Sequence, residues 1–358
     1  MRFCERCREP KGALHSAVVT VSEQEQPWTT KRLLGWINEA FTRKGLESPR
    51  LQAEMLVAHV LGCERLRLYM EADRPATPLE RQTLRDLVGR ALKDEPIDYL
   101  VGERWFFGLG FHVSKAVLVP RPSTEAVVEQ VLLNVRARMG VGAGSAGMMG
   151  VGNDEPAVSP SSPGARRGNL GEGVRIADVC TGSGCIAIAL LKNLPGATAI
   201  ATDISPEALD VAGKNAARHR VGDRLELLRG DLLGPLFEHP SAPAAHDGRD
   251  GFHYLVSNPP YIPDSEWAEV PPNVRNYEPE TALRGGSDGM DFLRRIVDDG
   301  PRLIRAEGLL VLETAASTAQ QVLELVRSHP LMSAETCRVV HDLEGLPRVV
   351  VGARRAEG

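Results

Sequence analysis

From Val174 onward the apolar residues alternate between short β-branched runs and longer helical stretches, and no other feature limits the fold as much. VRIADV, TAIATD, LELL, FHYLV and LLVLET read as buried strands. GCIAIALLKNL, SPEALDVAGKNAARHR, DFLRRIVDDGPRLI and a segment near 317–328 read as the helices between them. Ser205 followed by Pro206 reads as an N-cap and a first helical residue. Such alternation calls for an α/β fold with a doubly wound parallel sheet. The last two runs, ETCRVVH and PRVVVGA, are joined by DLEGLP, which is too short for a parallel crossover. They are expected as an antiparallel hairpin at the end of a seven-stranded sheet.

Upstream the rhythm is different. Leu33, Leu34, Ile37 and Phe41 share one helical face. Ser48-Pro49 reads as an N-cap followed by proline, opening a helix that Gly62 closes, and Thr77-Pro78-Leu79-Glu80 is a capping box. Residues 28–97 are thus expected to form a small all-helical domain, and with no catalytic cluster in it, its natural role is substrate docking. Residues 98–123, with RWFFGLGFHV and AVLVP, are expected as a β-hairpin linker. The catalytic domain is placed at 124–358 and opens on a helix reaching about Arg138. Residues 139–173 are rich in Gly, Ser and Pro and read as a disordered insertion, 239–251 as a shorter loop of that kind, and 1–27 as an unstructured extension.

The bulk numbers exclude some classes. The net charge is −5, which disfavours a partner made of nucleic-acid phosphates. No apolar run approaches a membrane span, and MRFCERCREPKG lacks the apolar stretch of a secretory signal. The 6 cysteines are scattered, which suits a reducing cytoplasm. Cys4-x-x-Cys7 lacks the second pair that a structural zinc site needs, so no metal is expected. A monomer is expected.

Ligands of doubly wound sheets bind beyond the carboxyl ends of the strands, and three strand ends here are distinctive. The first runs Asp178-Val179-Cys180-Thr181-Gly182-Ser183-Gly184-Cys185. Its glycines allow close backbone approach and the following helix offers free N–H groups. Cys180, Gly182 and Cys185 occupy the three positions of a dinucleotide fingerprint, which therefore fails, and G-K-[ST] is absent. A nucleoside without a pyrophosphate fits better. The second is Asp203, placed to accept ribose hydroxyls. The third is Asp231-Leu232, where the carboxylate accepts from an adenine amino group and the leucine packs on the ring. Together they point to S-adenosylmethionine.

SNPPYIP, at the end of the fourth strand, then faces the methyl group. The two prolines stiffen the exit, and the residue before each is driven into extended backbone. The Asn258 side-chain oxygen and the Pro259 carbonyl are expected to accept the two N–H bonds of a conjugated NH2 group, with Pro260 completing the rigid turn and Tyr261 lying against the planar group. Methyl transfer to that nitrogen then rests mainly on orientation.

These residues bring a family into view. Asn-Pro-Pro-Tyr is similar to the motif of class I amino methyltransferases, DNA adenine-N6 enzymes included. From about Leu33 to Arg354, apart from the two insertions, the chain resembles the peptide chain release factor glutamine-N5 methyltransferases of HemK/PrmC type. SPRLQAEMLVAHVLG, PIDYLVGERWFFGLGFHVS, VLVPRPSTE, DVCTGSGCIAIAL, SNPPYIP, EPETALRGGSDGMDFLRRI and GLPRVVVGAR carry the resemblance. It implies a class I methyltransferase sheet, a helical N-terminal domain that helps dock the release factor, and methylation of the Gln in that factor's Gly-Gly-Gln motif. By motif, the cofactor residues are Asp178, Thr181, Gly182, Ser183, Gly184, Cys185, Asp203, Asp231, Leu232 and Asn258, and the substrate residues are Asn258, Pro259, Pro260 and Tyr261. Two positions depart from the family. Cys180 stands where Gly is common; Cys is small, so the turn can survive, though the case for a positive φ there is weakened, and Ser123 stands where Glu is usual. The alternatives are a ribosomal-protein glutamine N5-methyltransferase, a DNA or RNA adenine-N6 methyltransferase, and a silent cofactor-binding adaptor. The acidic balance and helical N-terminal domain speak against the second, and the intact NPPY against the third.

Overall fold

The computed structural model describes residues 27–138, 171–240 and 250–356. The expectations for Cys4 and Cys7, and all but the edges of those for 1–27, 139–173 and 239–251, lie outside the described residues. By compactness the chain divides into two units, Met1–Arg85 and Asp86–Gly358.

The first unit is helical. Helix α1 (Thr30–Lys44) starts at Thr29, whose hydroxyl accepts from the Arg32 N–H, and stops at Gly45 with φ 77°. It buries Leu33, Ile37 and Phe41, the face foreseen from their spacing. Helix α2 (Pro49–Leu61) follows, but Ser48 is not the conventional cap expected. At φ 46° and ψ 55° its hydroxyl makes no capping bond, and Gly62, at φ 62°, closes the helix. Helix α3 (Arg65–Met70) comes next, and α4 (Pro78–Ala91) opens on the reciprocal capping box. Thr77 N–H donates to Glu80 at 2.8 Å and Glu80 N–H to Thr77 Oγ1 at 3.2 Å.

In the second unit α5 (Ile97–Val101) leads into a two-stranded hairpin, β1 (Glu103–Phe106) and β2 (Leu109–His112). AVLVP, expected to be strand-like, is not a strand. Its ladder groups are taken by side chains: the Tyr99 hydroxyl donates to the Val117 carbonyl at 2.6 Å, and Glu278 accepts the Val119 N–H at 3.1 Å. A 3₁₀ turn, Pro122–Thr124, delivers the chain to α6 (Glu125–Arg138).

The remaining elements are β3 (Arg175–Val179), α7 (Cys185–Asn193), β4 (Thr198–Asp203), α8 (Pro206–Arg218), β5 (Leu225–Arg229), α9 (Gly234–Glu238), β6 (Phe252–Ser257), α10 (Pro272–Arg275), α11 (Asp291–Asp299), β7 (Ile304–Glu313), α12 (Ala319–Ser328), β8 (Arg338–His341) and β9 (Pro347–Ala353). The sheet has seven strands in the order β5-β4-β3-β6-β7-β9-β8. β5 to β7 run parallel, and β9 lies antiparallel between β7 and β8. Helix α11 is shorter than expected because Pro301 lacks an N–H and disfavours helical backbone before it. One face of the sheet is covered by α6 and α7 with Val128, Val131, Ile188 and Leu190, the other by α11 and α12 with Leu293, Ile296, Val322 and Val326. Buried on both faces, the parallel strands are apolar almost without interruption. From β3 the chain builds outward through β4 and β5, then returns to lay β6 on the other side. The switch point, where such sheets bind ligands, therefore lies between β3 and β6.

Candidate active site

At the switch point Asp178, the last residue but one of β3, has no solvent exposure. Its Oδ2 accepts from the Thr181 hydroxyl at 2.7 Å and from the Ala187 N–H at 3.1 Å, while Oδ1 has no partner. Burial pushes this carboxyl up to about 7, against the two hydrogen bonds. Cys180 adopts φ 61°, so the turn that glycine would favour forms here with a side chain in it. The turn thus survives the departure from the family's glycine, and the next residue is tied to β4, its N–H donating to the Thr202 carbonyl at 3.0 Å. Gly182 has nothing within 4 Å of where a Cβ would stand, so the space above it is open. At Gly184, with φ 79°, a Cβ would meet Ile188 Cδ1 at 2.9 Å, so α7 packs tightly against the loop. Ser183 is held from behind by Asn215 of α8, whose Nδ2 donates to its carbonyl at 2.9 Å. Cys185 opens α7, with Gly184 as its N-cap.

The ends of β4 and β5 form the neighbouring wall. Asp203 accepts from the Gly182 N–H at 2.9 Å and from the Ser205 N–H at 3.0 Å, so this carboxylate shapes the glycine loop as well as facing the cleft. Burial raises its pKa above the ordinary carboxylate value. Leu232 is buried at φ 50°, with its carbonyl accepting from the Thr202 hydroxyl at 2.9 Å. Asp231 is half exposed and paired with Arg295 of α11 at 2.5 Å, a partner the strand-end reading did not foresee.

These ends enclose a cleft of about 470 Å³ lined by Gly182, Asp203, Ile204, Leu232, Asn258 and Phe292, among others. A smaller cavity of about 250 Å³, lined by Arg121, Tyr261 and Val274, shares Leu118, Asn258 and Ala282 with it. Asn258 thus stands where the two meet. Ser257 anchors the end of β6, its hydroxyl donating to the Val179 carbonyl at 2.6 Å. Asn258 Nδ2 donates to Thr124 Oγ1 at 3.1 Å, which leaves Oδ1 as the oxygen available to the cleft. Gly285 and Gly289 let the following loop lie directly on Tyr261, since a Cβ at Gly289 would come within 2.4 Å of the Tyr261 carbonyl. Burial, and then the charge of Glu313, push the Tyr261 phenol up, so it remains a donor. Arg121 pairs with the buried Glu278 at 2.5 Å, bracing the smaller cavity. Pro259 and Pro260 are buried in the turn.

The open space over Gly182, the carboxylate at the end of β4 and the apolar walls of Ile204, Leu232 and Phe292 fit a nucleoside carrying a small charged tail. Among the described residues no group of His, Cys, Asp and Glu is arranged to hold a metal ion.

Comparison with known proteins matches this arrangement. Residues 32–102 match the PrmC N-terminal domain family and residues 176–261 a methyltransferase domain family. A release factor glutamine methyltransferase of Geobacter sulfurreducens is 35% identical over 332 residues, spanning 93% of this chain and 99% of its own. The chain belongs to the release factor glutamine methyltransferases. Another such methyltransferase, from Chlorobaculum tepidum, is 37% identical over 91% of this chain and 97% of its own, and one from Rhodopirellula baltica is 35% identical over 83% and 88%. As a member of this family the chain is a methyltransferase, with S-adenosylmethionine as its cofactor. No helix among the described residues is long and apolar enough to cross a membrane. Sequence reasoning missed three contributors to this glutamine methyltransferase site: Thr124, Glu313 and Asn215. The only signal for the first two was their position, one beside PRPS and one at a strand's carboxyl end.

Proposed function

We propose that this enzyme transfers a methyl group from S-adenosylmethionine to the side-chain amide nitrogen of the glutamine in the Gly-Gly-Gln motif of a peptide chain release factor. The observation that carries the reading is Asn258 at the junction of the two cavities, with its amide N–H turned away to Thr124. Bound S-adenosylmethionine supplies a methyl group on a positively charged sulfur. Gly182, Ser183 and Gly184 receive the amino-acid part, Asp203 accepts from the ribose hydroxyls, and Asp231 and Leu232 receive the adenine. Asp178, Thr181 and Cys185 shape the loop that does so.

The acceptor presents the harder problem, because the lone pair of an amide nitrogen is drawn into its carbonyl. Asn258 Oδ1 and the Pro259 carbonyl accept the two N–H bonds, which fixes the nitrogen and favours a more tetrahedral geometry. Pro260 keeps the two acceptors rigid, and Tyr261 lies against the plane of the amide. The nitrogen becomes acidic as it is methylated and loses its proton to water, so no strong base is required. Orientation supplies most of the acceleration. Residues 28–97 are assigned to docking the release factor, and the cytoplasm, where release factors act, is the assigned location.

The test is incubation with methyl-labelled cofactor and, separately, a release factor, a ribosomal protein substrate and DNA, with the label located by mass spectrometry. Label on the Gly-Gly-Gln glutamine supports the reading. Label on DNA or the ribosomal protein alone, or on nothing, overturns it.

A further inference from the structure

The turn between β8 and β9 presents an apolar tip to water. Leu343 is 94% exposed and Leu346 39% exposed. A leucine on a protein surface is ordinary by itself, but this pair is held in a fixed frame. Asp342 Oδ1 accepts from the Glu344 N–H and from the Leu346 N–H, both at 2.9 Å, and Oδ2 accepts from Arg348 Nε at 3.2 Å. The Asp342 N–H donates to the Leu346 carbonyl at 2.9 Å, and the Gly345 N–H to the Asp342 carbonyl at 3.0 Å. Gly345, at φ 79°, takes the left-handed position that the turn requires. The polar groups of the turn thus bond inward, and Leu343 is what it shows outward.

Strand register places this tip beside the acceptor site. β9 runs antiparallel to β7, and Glu313 at the carboxyl end of β7 pairs with Val349 near the start of β9. The Thr314 N–H donates to the Arg348 carbonyl at 2.9 Å, which carries the ladder one step further toward the turn. Ser257, the last residue of β6, pairs with Leu312 of β7, so the NPPY turn leaves the sheet level with Glu313. Asn258 and the β8–β9 turn therefore stand on one rim of the sheet, with β7 between β6 and β9. Neighbouring strands lie about 4.8 Å apart, so the tip is roughly 10–15 Å from the acceptor site.

We propose that the β8–β9 turn is a docking point for the protein substrate, at which Leu343 and Leu346 receive an apolar side chain on the surface of the release factor near its acceptor glutamine. The inference rests on the reading of Asn258 as the acceptor clamp. A glutamine that reaches Asn258 as part of a protein brings the surface around it onto this rim. A turn already fixed by its own hydrogen bonds gives up little freedom when a partner closes over it, so more of the burial of Leu343 appears as affinity. A glutamine without such a surface around it lacks this grip, and the turn adds selectivity among proteins to what the clamp does for the amide.

The experiment compares wild type with Leu343→Ser, Leu343→Met and the double variant Leu343→Ser/Leu346→Ser, using full-length release factor as substrate. Removing one buried leucine from a contact weakens it about 10-fold or more. Leu343→Ser should therefore raise the KM for the release factor about 10-fold, and the double variant should raise it further. The kcat and the cofactor Kd should stay within about threefold of wild type. Leu343→Met, which keeps an apolar side chain of similar volume, should recover most of the loss. Tm should not fall, because so exposed a side chain adds nothing to the core. A second readout does not depend on turnover: with p-benzoylphenylalanine at position 343, irradiation should cross-link the enzyme to release factor residues within roughly 15 Å of the glutamine. An unchanged KM in the double variant overturns the proposal, and so does a cross-link confined to a distant part of the release factor. A raised KM that comes with a lower Tm or weaker cofactor binding assigns the turn to the fold and also overturns it. If wild type methylates no glutamine of the release factor, the functional reading fails, and the cross-link still decides whether the turn docks that protein.

Discussion

The side-chain amide of Asn215 holds His112 by both of its backbone groups. Oδ1 accepts from the His112 N–H at 2.7 Å, and Nδ2 donates to the His112 carbonyl at 3.0 Å. The same Nδ2 reaches the Ser183 carbonyl at 2.9 Å, so one buried side chain joins the β1–β2 hairpin to the glycine loop. Asn215→Ala removes all three bonds and leaves the three backbone groups short of a partner. Each such buried loss costs about 1–3 kcal/mol. The variant should lose roughly 3 kcal/mol or more in urea unfolding and bind cofactor more weakly. A loss below about 1 kcal/mol would show that the hairpin and loop are held by something else.

Cys180 sits at φ 61°, and the N–H of the next residue, Thr181, donates to the Thr202 carbonyl. Left-handed backbone costs a residue with a Cβ roughly 1–2 kcal/mol, and a β-branched residue more. Cys180→Gly removes that strain but makes the unfolded chain freer, so its net effect on stability is small. Cys180→Val adds crowding at the same φ and pushes a methyl toward the cleft that Cys180 lines. The valine variant should be less stable than the glycine variant by at least about 1 kcal/mol and should show the weaker cofactor binding. Thermal melts and calorimetric titration of the pair decide it. Equal stability would mean that the loop relaxes to negative φ.

The catalytic fold was legible because its signals are local. β-branched runs bounded by Gly and Pro mark strands, and Ser205-Pro206 and Thr77-Pro78 mark helix starts at which the hydroxyls do accept the capping bonds. NPPY was legible for the same reason, since two prolines leave few backbone choices. What escaped depends on partners distant in sequence. AVLVP has the composition of a strand, but its ladder groups go to Tyr99, 18 residues away, and Glu278, 159 away. Glu313 looks like an ordinary polar strand end until β6 and β9 close around it. Ser123, which meets it, is 190 residues distant. Asp231 reads as an acceptor for an adenine amino group, yet it is also paired with Arg295, 64 residues on.

Asp178 makes a prediction about pH. Its carboxyl is held at about 7 in the folded protein, against an ordinary value of 3.8. A raised acid pKa means that the folded chain binds the proton more tightly than the unfolded chain. The stability this contributes is complete below about pH 4 and is lost as pH rises toward 7. Asp178→Asn carries no such charge and lacks this loss. The variant should therefore gain on wild type as pH rises, with the difference in Tm between the two shifting in its favour from pH 4 to pH 7. A difference in Tm that is flat across this window would mean that Asp178 titrates as an ordinary carboxyl.

Asn258 separates binding from chemistry. It is one of many residues lining the cofactor cleft but, in the assigned role, both fixes and activates the acceptor nitrogen. Asn258→Ala keeps the proline-stiffened turn, because the Ser257 hydroxyl still anchors it to the Val179 carbonyl. Removing one preorganised hydrogen-bonding group from a transition state typically costs about 10²–10³ in rate. The variant should lose kcat by at least about 100-fold while its cofactor Kd, read by calorimetry, stays within about threefold of wild type. Thr124 loses one hydrogen-bond donor, a single part-buried bond, so the change in Tm should be small. The opposite pattern, a large loss of cofactor affinity with kcat preserved, would assign Asn258 to the cofactor and remove the two-acceptor clamp from the mechanism.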